Sequence, residues 1–116
     1  MRLLIAAKQS TLRHALTTFL QTRKEIEVVG AAAEKKSLFA QVDKTEPEII
    51  LLDENFSVGL IEAVIEPLQK IEPRPEIVVL GNRSESKKEL LDAGVAAFVI
   101  KGGPPKSLLT TIEEIR

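Results

Sequence analysis

The feature that most constrains the fold of this chain is an alternation of short apolar runs with longer amphipathic stretches, repeated five times. The apolar runs span residues 2–6, 25–30, 48–53, 76–80 and 95–100. The stretches that follow them carry apolar residues at helical spacing and cover 10–20, 34–43, 60–68, 84–92 and 104–115. Strands that alternate with helices over short connections form a parallel sheet with helices on both faces. The sequence therefore predicts one α/β domain over residues 1–116, of the doubly wound (βα)5 kind.

The strand order follows from the same pattern. Five-stranded doubly wound sheets commonly have the flavodoxin-like order 2-1-3-4-5 and bind ligands at the carboxyl ends of strands 1 and 3. The run 48–53 is the most apolar and is predicted to be central, whereas the alternating run 25–30 suits an edge strand. The crevice at the carboxyl ends is then predicted to contain Ala7, Lys8, Asp53, Gly81 and Lys101.

Capping and breaking residues mark the predicted helix ends. Ser10 and Ser84 are predicted N-caps, because a serine hydroxyl accepts a hydrogen bond from a free N–H of the first turn. Pro67 is expected to break or kink the third helix, since it removes a backbone donor. Gly94 is expected to end the fourth helix in a left-handed conformation.

Composition excludes several classes of function. The chain has 16 basic and 17 acidic residues and neither half is basic, so we expect no direct binding to nucleic acid. Cysteine is absent and His14 is the single histidine, which excludes disulfides, thiolate metal sites and zinc sites with two histidines. No apolar run approaches the roughly 18 residues of a membrane span. We expect no contact with a membrane.

Two charged residues stand at the ends of apolar runs in the predicted crevice. Asp53 ends the third run and Lys101 follows the fifth, so both are expected at the carboxyl edge of the sheet. An ionised carboxylate at the end of a buried strand needs a partner, or its pKa rises. Two interpretations stay open: a structural ion pair that only satisfies charge, or part of a functional site.

Motifs placed in order along the whole chain resemble a known signalling family. They are Leu4-Ile5-Ala6-Ala7-Lys8-Gln9, Val28-Val29-Gly30, Ile50-Leu51-Leu52-Asp53, Val78-Val79-Leu80, Ala93-Gly94 and Phe98-Val99-Ile100-Lys101. In this order they resemble the receiver domain of the response regulators of two-component signal transduction and phosphorelays. The similarity is greatest to receivers that precede a helix-turn-helix DNA-binding domain.

The resemblance implies a role for three residues that match the family. Asp53 matches the phosphoryl acceptor of receivers, and Lys101 matches the lysine that pairs with the phosphoryl group. Phe98 matches the aromatic residue that reports the state of the switch.

Three other crevice positions depart from the family pattern. Ala7 and Lys8 stand where receivers have two acidic residues that hold Mg²⁺, and Gly81 stands where they have a serine or threonine. Mg²⁺ prefers carboxylate oxygens and neutralises most of the charge in phosphoryl transfer. We therefore expect a degenerate receiver, or pseudo-receiver, that binds no Mg²⁺ and is not phosphorylated at Asp53. The Lys8 ammonium is expected in or beside the vacant metal position, within salt-bridge reach of Asp53, with Lys101 as a second cation.

Three functions stay open at this point. The first is a non-enzymatic module of signalling and transcription regulation that acts through protein contacts. The second is a phospho-accepting receiver with an unusual metal site, and the third is a small-ligand-binding module that uses the same crevice. For the first, the resemblance implies contact with a second copy or a protein partner through the fourth helix, fifth strand and fifth helix, with Lys87, Lys88 and Lys106 at the interface. A DNA-binding effector domain is expected outside this chain.

Overall fold

The computed structural model describes residues 1–57, 59–82 and 87–115. Strands and helices alternate along the chain in the predicted order. The elements are β1 (Arg2–Ala6), α1 (Ser10–Leu20), β2 (Glu27–Ala32), α2 (Lys35–Thr45), β3 (Ile49–Asp53), α3 (Glu62–Leu68), β4 (Glu76–Gly81), α4 (Lys87–Asp92), β5 (Ala97–Ile100) and α5 (Pro105–Ile115). Among the described residues, no helix has the length and apolar character that crossing a membrane requires.

The strands form one parallel sheet in the order β2-β1-β3-β4-β5, which confirms the predicted doubly wound, flavodoxin-like α/β fold. β3 lies at the centre and is buried along its whole length, as its apolar sequence predicts. β2 and β5 are the two edge strands and are partly exposed. Asp53 pairs with Leu80, and Gly81 pairs with Ile100, so the carboxyl ends of β3, β4 and β5 meet at one edge of the sheet.

Two apolar clusters cover the two faces of the sheet. Successive strand residues point to opposite faces, so Leu52 packs in one cluster and Leu51 in the other. The first cluster joins the sheet to α2, α3 and α4, and the second joins it to α1 and α5. This arrangement explains why the central strands are continuous apolar runs: both faces of each strand are covered by helices.

The start of α1 differs from the prediction. Ser10 is the first helical residue, and Gln9 holds the N-cap position without a side-chain cap hydrogen bond. The Arg13 N–H donates to the Gln9 carbonyl at 3.1 Å, so the helical ladder already begins at residue 9. The predicted cap at Ser10 is therefore wrong by one position.

Several other boundaries differ from the prediction by one or two residues, and those of β2 and α3 are examples. β2 covers Glu27–Ala32 instead of 25–30, because its last two residues extend the ladder to the end of β1. α3 begins at Glu62 instead of residue 60, and Leu60 is 74% exposed in front of it. Apolar character alone assigned Leu60 to the helix, which is wrong.

The predicted helix breakers behave as expected. Pro67 lies in the last turn of α3, which ends at Leu68. Gly94 follows α4 with a φ of 104°, the left-handed conformation that a glycine adopts without strain. Ser84, the second predicted cap, lies outside the described residues.

Candidate functional site

A short ion pair stands at the carboxyl edge of the sheet. Asp53, the last residue of β3, is 3% exposed. Among the described residues it is the one charged residue that is buried. The Lys101 ammonium lies 2.6 Å from Asp53 Oδ1. The Asn55 N–H also donates to this Oδ1, at 3.3 Å. The convergence of Asp53 and Lys101 predicted from the strand order is confirmed.

Backbone hydrogen bonds fix both partners of the pair. After Asp53 the chain turns at once, because the Phe56 N–H donates to the Asp53 carbonyl at 2.9 Å. The Lys101 N–H donates to the Gly81 carbonyl at 2.8 Å, which extends the ladder between β4 and β5 past its last pair. The carboxylate and the ammonium therefore extend from neighbouring positions of the sheet edge that backbone hydrogen bonds hold in place.

The expected pairing of Lys8 with Asp53 is wrong. Lys8 is exposed, and none of the ion pairs among residues 1–57, 59–82 and 87–115 includes it. Arg13 of α1 holds the turn instead: its Nη1 donates to the carbonyls of Ala7 and Lys8 at 2.9 and 2.8 Å. Lys101 compensates the Asp53 charge, so the carboxylate has no need of a second cation. Arg13 is a site residue that the sequence analysis missed.

The space above Gly81 is filled by two side chains. A Cβ placed on Gly81 would collide with the ring of Phe98 and with Glu54 Oε1. Phe98 is half-buried and packs against the core cluster shared with α2, α3 and α4. Glu54 Oε1 accepts a hydrogen bond from the Asn82 N–H at 3.3 Å. Only glycine at position 81 leaves room for this arrangement.

Glu54 was also missed by the sequence analysis. Strand alternation places Asp53 and Glu54 on opposite faces, and Glu54 accordingly lies over Gly81 beside Phe98, on the face of the first apolar cluster. The Glu54 N–H donates to the Leu80 carbonyl at 2.8 Å, which turns the side chain toward the end of β4. The Asp-Glu sequence at the end of a predicted strand was the available signal.

The crevice does not fit Mg²⁺, the metal that the resemblance implies. Mg²⁺ needs oxygen ligands, yet the two positions after β1 carry a buried methyl group at Ala7 and an exposed ammonium at Lys8. Within the described ranges, no group of three or more His, Asp or Glu side chains is placed to hold a metal. Asp53 is in contact with Lys101 instead.

Two hollows flank the ion pair. One is polar, about 470 Å³, and includes Glu54, Asn55, Glu62, Asn82 and Glu89 in its lining. The other is an apolar groove of about 310 Å³ between α1 and the β5–α5 loop. We call it the α1–α5 groove; its lining includes Leu12, Ala15, Leu16, Phe19, Lys101 and Leu108.

The three lysines predicted at an interface are exposed. Lys87 and Lys88 lie on α4, beside Leu91, which is 38% exposed, and Lys106 lies on α5. Their exposure permits contact with a partner. The interface itself stays a prediction.

The family model of the response regulator receiver domain matches residues 3–113 of the chain. The chain belongs to this family. The transcriptional regulatory protein YhcZ of Bacillus subtilis, which is uncharacterized, is 30% identical over 114 residues, or 96% of this chain and 53% of that protein. The response regulator protein VraR of Staphylococcus aureus is 26% identical over 116 residues, or 97% of this chain and 55% of VraR. The receiver chain thus spans about half the length of these curated relatives.

Solved structures agree with the fold. The isolated REC domain of RcsB from Salmonella enterica serovar Typhimurium, solved in the presence of the phosphomimetic BeF3⁻, superposes with a TM-score of 0.90. It is 19% identical, and the match covers 99% of this receiver and 87% of that chain. A DNA-binding response regulator of the LuxR family from Staphylococcus aureus gives a TM-score of 0.85 at 18% identity, covering 98% and 97% of the two chains.

Proposed function

We propose that this receiver is not phosphorylated at Asp53 and acts in transcription regulation through constitutive protein contacts. The observation that supports the proposal most directly is that the two positions after β1, a buried Ala7 and an exposed Lys8, offer Asp53 no second carboxylate. Phosphoryl transfer to a carboxylate depends on positioning and on neutralisation of the developing charge, chiefly by Mg²⁺. A crevice without the metal-holding carboxylates lacks that neutralisation.

The position of Gly81 supports the same proposal. A serine or threonine there would offer a hydroxyl to the phosphoryl group, but the space above Gly81 is taken by Phe98 and Glu54. Glu54, Glu62 and Glu89 also line the polar hollow beside the crevice. Their negative charge opposes the approach of an anionic phosphoryl donor.

Incubation with acetyl phosphate and Mg²⁺, followed by intact-mass measurement, tests the proposal. The expected result is no phosphoryl adduct on the wild type or on Asp53→Asn. A stoichiometric adduct on the wild type that Asp53→Asn abolishes would contradict the proposal. That outcome would support the second candidate, a phospho-accepting receiver, which the short Asp53–Lys101 contact also suits.

The output surface in this proposal is the face formed by α4, β5 and α5. Lys87 and Lys88 lie near Glu89 and Asp92 on α4, and α5 carries Lys106 near its start and Glu113 and Glu114 near its end. Mixed charges of this kind suit a two-fold contact in which each patch meets the opposite sign on its partner. Because the relatives are about twice as long and are named as regulators, we further propose a DNA-binding effector domain outside this chain and a cytoplasmic location.

Analytical ultracentrifugation tests the output surface. We expect the same sedimentation with and without beryllofluoride and Mg²⁺, and weaker association after Lys87→Glu with Lys88→Glu. The matched control is Lys35→Glu with Lys36→Glu, two exposed adjacent lysines at the start of α2. A shift from monomer to dimer on adding beryllofluoride would contradict constitutive association. Equal effects of the two double variants would place the interface elsewhere.

A small-ligand module is the third candidate, and the α1–α5 groove favours it. The groove has about 310 Å³ and an apolar lining. Pockets that bind small molecules are mostly apolar and have volumes from about 300 Å³ upward.

A further inference from the structure

The α1–α5 groove exposes apolar side chains that the fold does not need to expose. Ala15 is exposed on α1, Leu16 is half-buried beside it, and Ile100 at the end of β5 is 42% exposed. Leu80 and Leu108 are buried at the same groove. A concave hollow with a mostly apolar lining is a candidate binding site, whereas single apolar side chains on a surface need no explanation.

The groove also reaches the ion pair of the crevice. Lys101 belongs to its lining, and the side chain of Lys101 is 23% exposed. A lysine ammonium has three donors. Among the described residues, Asp53 is the one partner within contact distance of this ammonium, so two of its donors are free for a ligand.

These two features define the chemistry of the occupant. An apolar lining takes a hydrocarbon or aromatic body, and Lys101, a residue of the same lining, offers a cation to a negative head group. We propose that the α1–α5 groove binds a small amphiphilic carboxylate, with its apolar body against Leu16 and Phe19 and its carboxylate on Lys101. The ligand's carboxylate then shares Lys101 with Asp53.

Such a ligand gives the crevice a chemical input other than phosphorylation. A carboxylate on Lys101 adds a negative charge beside Asp53, in a receiver whose protein contacts form without the ligand. The signalling part of this inference rests on the proposed function, whereas the binding itself does not.

Octanoate is the probe, and calorimetric titration into the full chain is the measurement. We expect saturable binding of one octanoate per chain. The affinity should fall about threefold for each methylene removed toward butanoate, because each buried methylene contributes about 0.8 kcal/mol when fully buried and less in an open groove. Octyltrimethylammonium, with an apolar chain one carbon longer and the opposite charge, should bind at least about tenfold more weakly.

Ala15→Glu is the main variant, because Ala15 is exposed and a substitution there does not disturb the core. It places a carboxylate in the groove, so octanoate should bind at least about tenfold more weakly. The matched control is Ala40→Glu on the exposed side of α2, where octanoate affinity should stay within about twofold of the wild type. Lys101→Met should lower the affinity for octanoate but leave the affinity for uncharged 1-octanol nearly unchanged.

Several outcomes overturn the inference. If octanoate binds no more tightly than butanoate, the groove is not its binding site. The same conclusion follows if octanoate binds Ala15→Glu and the wild type with equal affinity. If octyltrimethylammonium binds with the same affinity as octanoate, Lys101 does not bind the head group. A dimer that Ala15→Glu dissociates, without any effect of octanoate, assigns the groove to a second copy of the chain. Phosphorylation of Asp53 in the same preparation would contradict the proposed function but not octanoate binding, so the two failures are distinguishable.

Discussion

Loss of the Lys101 ammonium should destabilise the domain more than loss of any exposed lysine. Lys101→Met keeps most of the apolar stem but leaves Asp53 charged and 3% exposed without its 2.6 Å partner. Removing one partner of a buried ion pair costs about 3–5 kcal/mol. Lys101 retains 23% exposure, so we expect the lower end, about 3 kcal/mol. The Asn55 N–H stays in place and does not offset a full charge.

The expected change in melting temperature follows from the length of the chain. Unfolding entropy is about 2.1 cal/mol/K per residue, or roughly 0.24 kcal/mol/K for 116 residues. A loss of about 3 kcal/mol therefore lowers the melting temperature by roughly 12 °C. The chain contains neither tryptophan nor tyrosine, so far-UV circular dichroism in urea and on heating is a better readout than fluorescence.

A double-mutant cycle separates the pair from its surroundings. Asp53→Asn removes the charge that Lys101 compensates, so the combination with Lys101→Met should recover part of the single losses. Lys106→Met on α5 is the matched control, since Lys106 is exposed and should change stability by less than about 0.5 kcal/mol. If Lys101→Met behaves like Lys106→Met, or if the cycle is additive, solvent already screens the pair and the reasoning fails.

Two further substitutions test the crevice. Gly81→Ala should lower the free energy of unfolding by about 1–3 kcal/mol, because the added Cβ collides with Phe98 and Glu54. Urea unfolding measures this change, and an unchanged midpoint would mean that both side chains move aside freely. Lys8→Ala should change the free energy of unfolding by less than about 0.5 kcal/mol, because Lys8 is exposed and forms no ion pair with the described residues. A loss of stability as large as that caused by Lys101→Met would support the pairing of Lys8 with Asp53.

The sequence was sufficient to predict the sheet and the position of the crevice. Continuous apolar runs identify strands buried on both faces, and the topology of doubly wound sheets orders them. The meeting of Asp53 and Lys101 follows from that order without any side-chain information. It depends only on which strand each residue ends, and the strand assignments of 48–53 and 95–100 were close to the observed β3 and β5.

The sequence was not sufficient to choose the cation that meets Asp53. Lys8 and Lys101 both follow strands at the same edge, and strand order does not distinguish them. In the structure the Arg13 side chain holds the turn after β1, and the ladder between β4 and β5 places Lys101 one residue past the Gly81–Ile100 pair. The first contact joins residues five and six positions apart and the second joins two strands, and the apolar periodicity indicates neither of them. Glu54 was missed because the periodicity places it on a face of the sheet but does not show that its carboxylate lies over Gly81.

β5 connects the parts of the molecule that the proposals assign to input and output. This strand has four residues, Ala97–Ile100, and pairs along one side with β4. It carries Phe98 over Gly81, and Lys101 follows it directly to contact Asp53. The same strand belongs to the proposed output face, and Ile100 lines the α1–α5 groove. In these proposals, a carboxylate that shares Lys101 with Asp53 therefore binds the residue directly after the one strand that the crevice, the groove and the output face have in common.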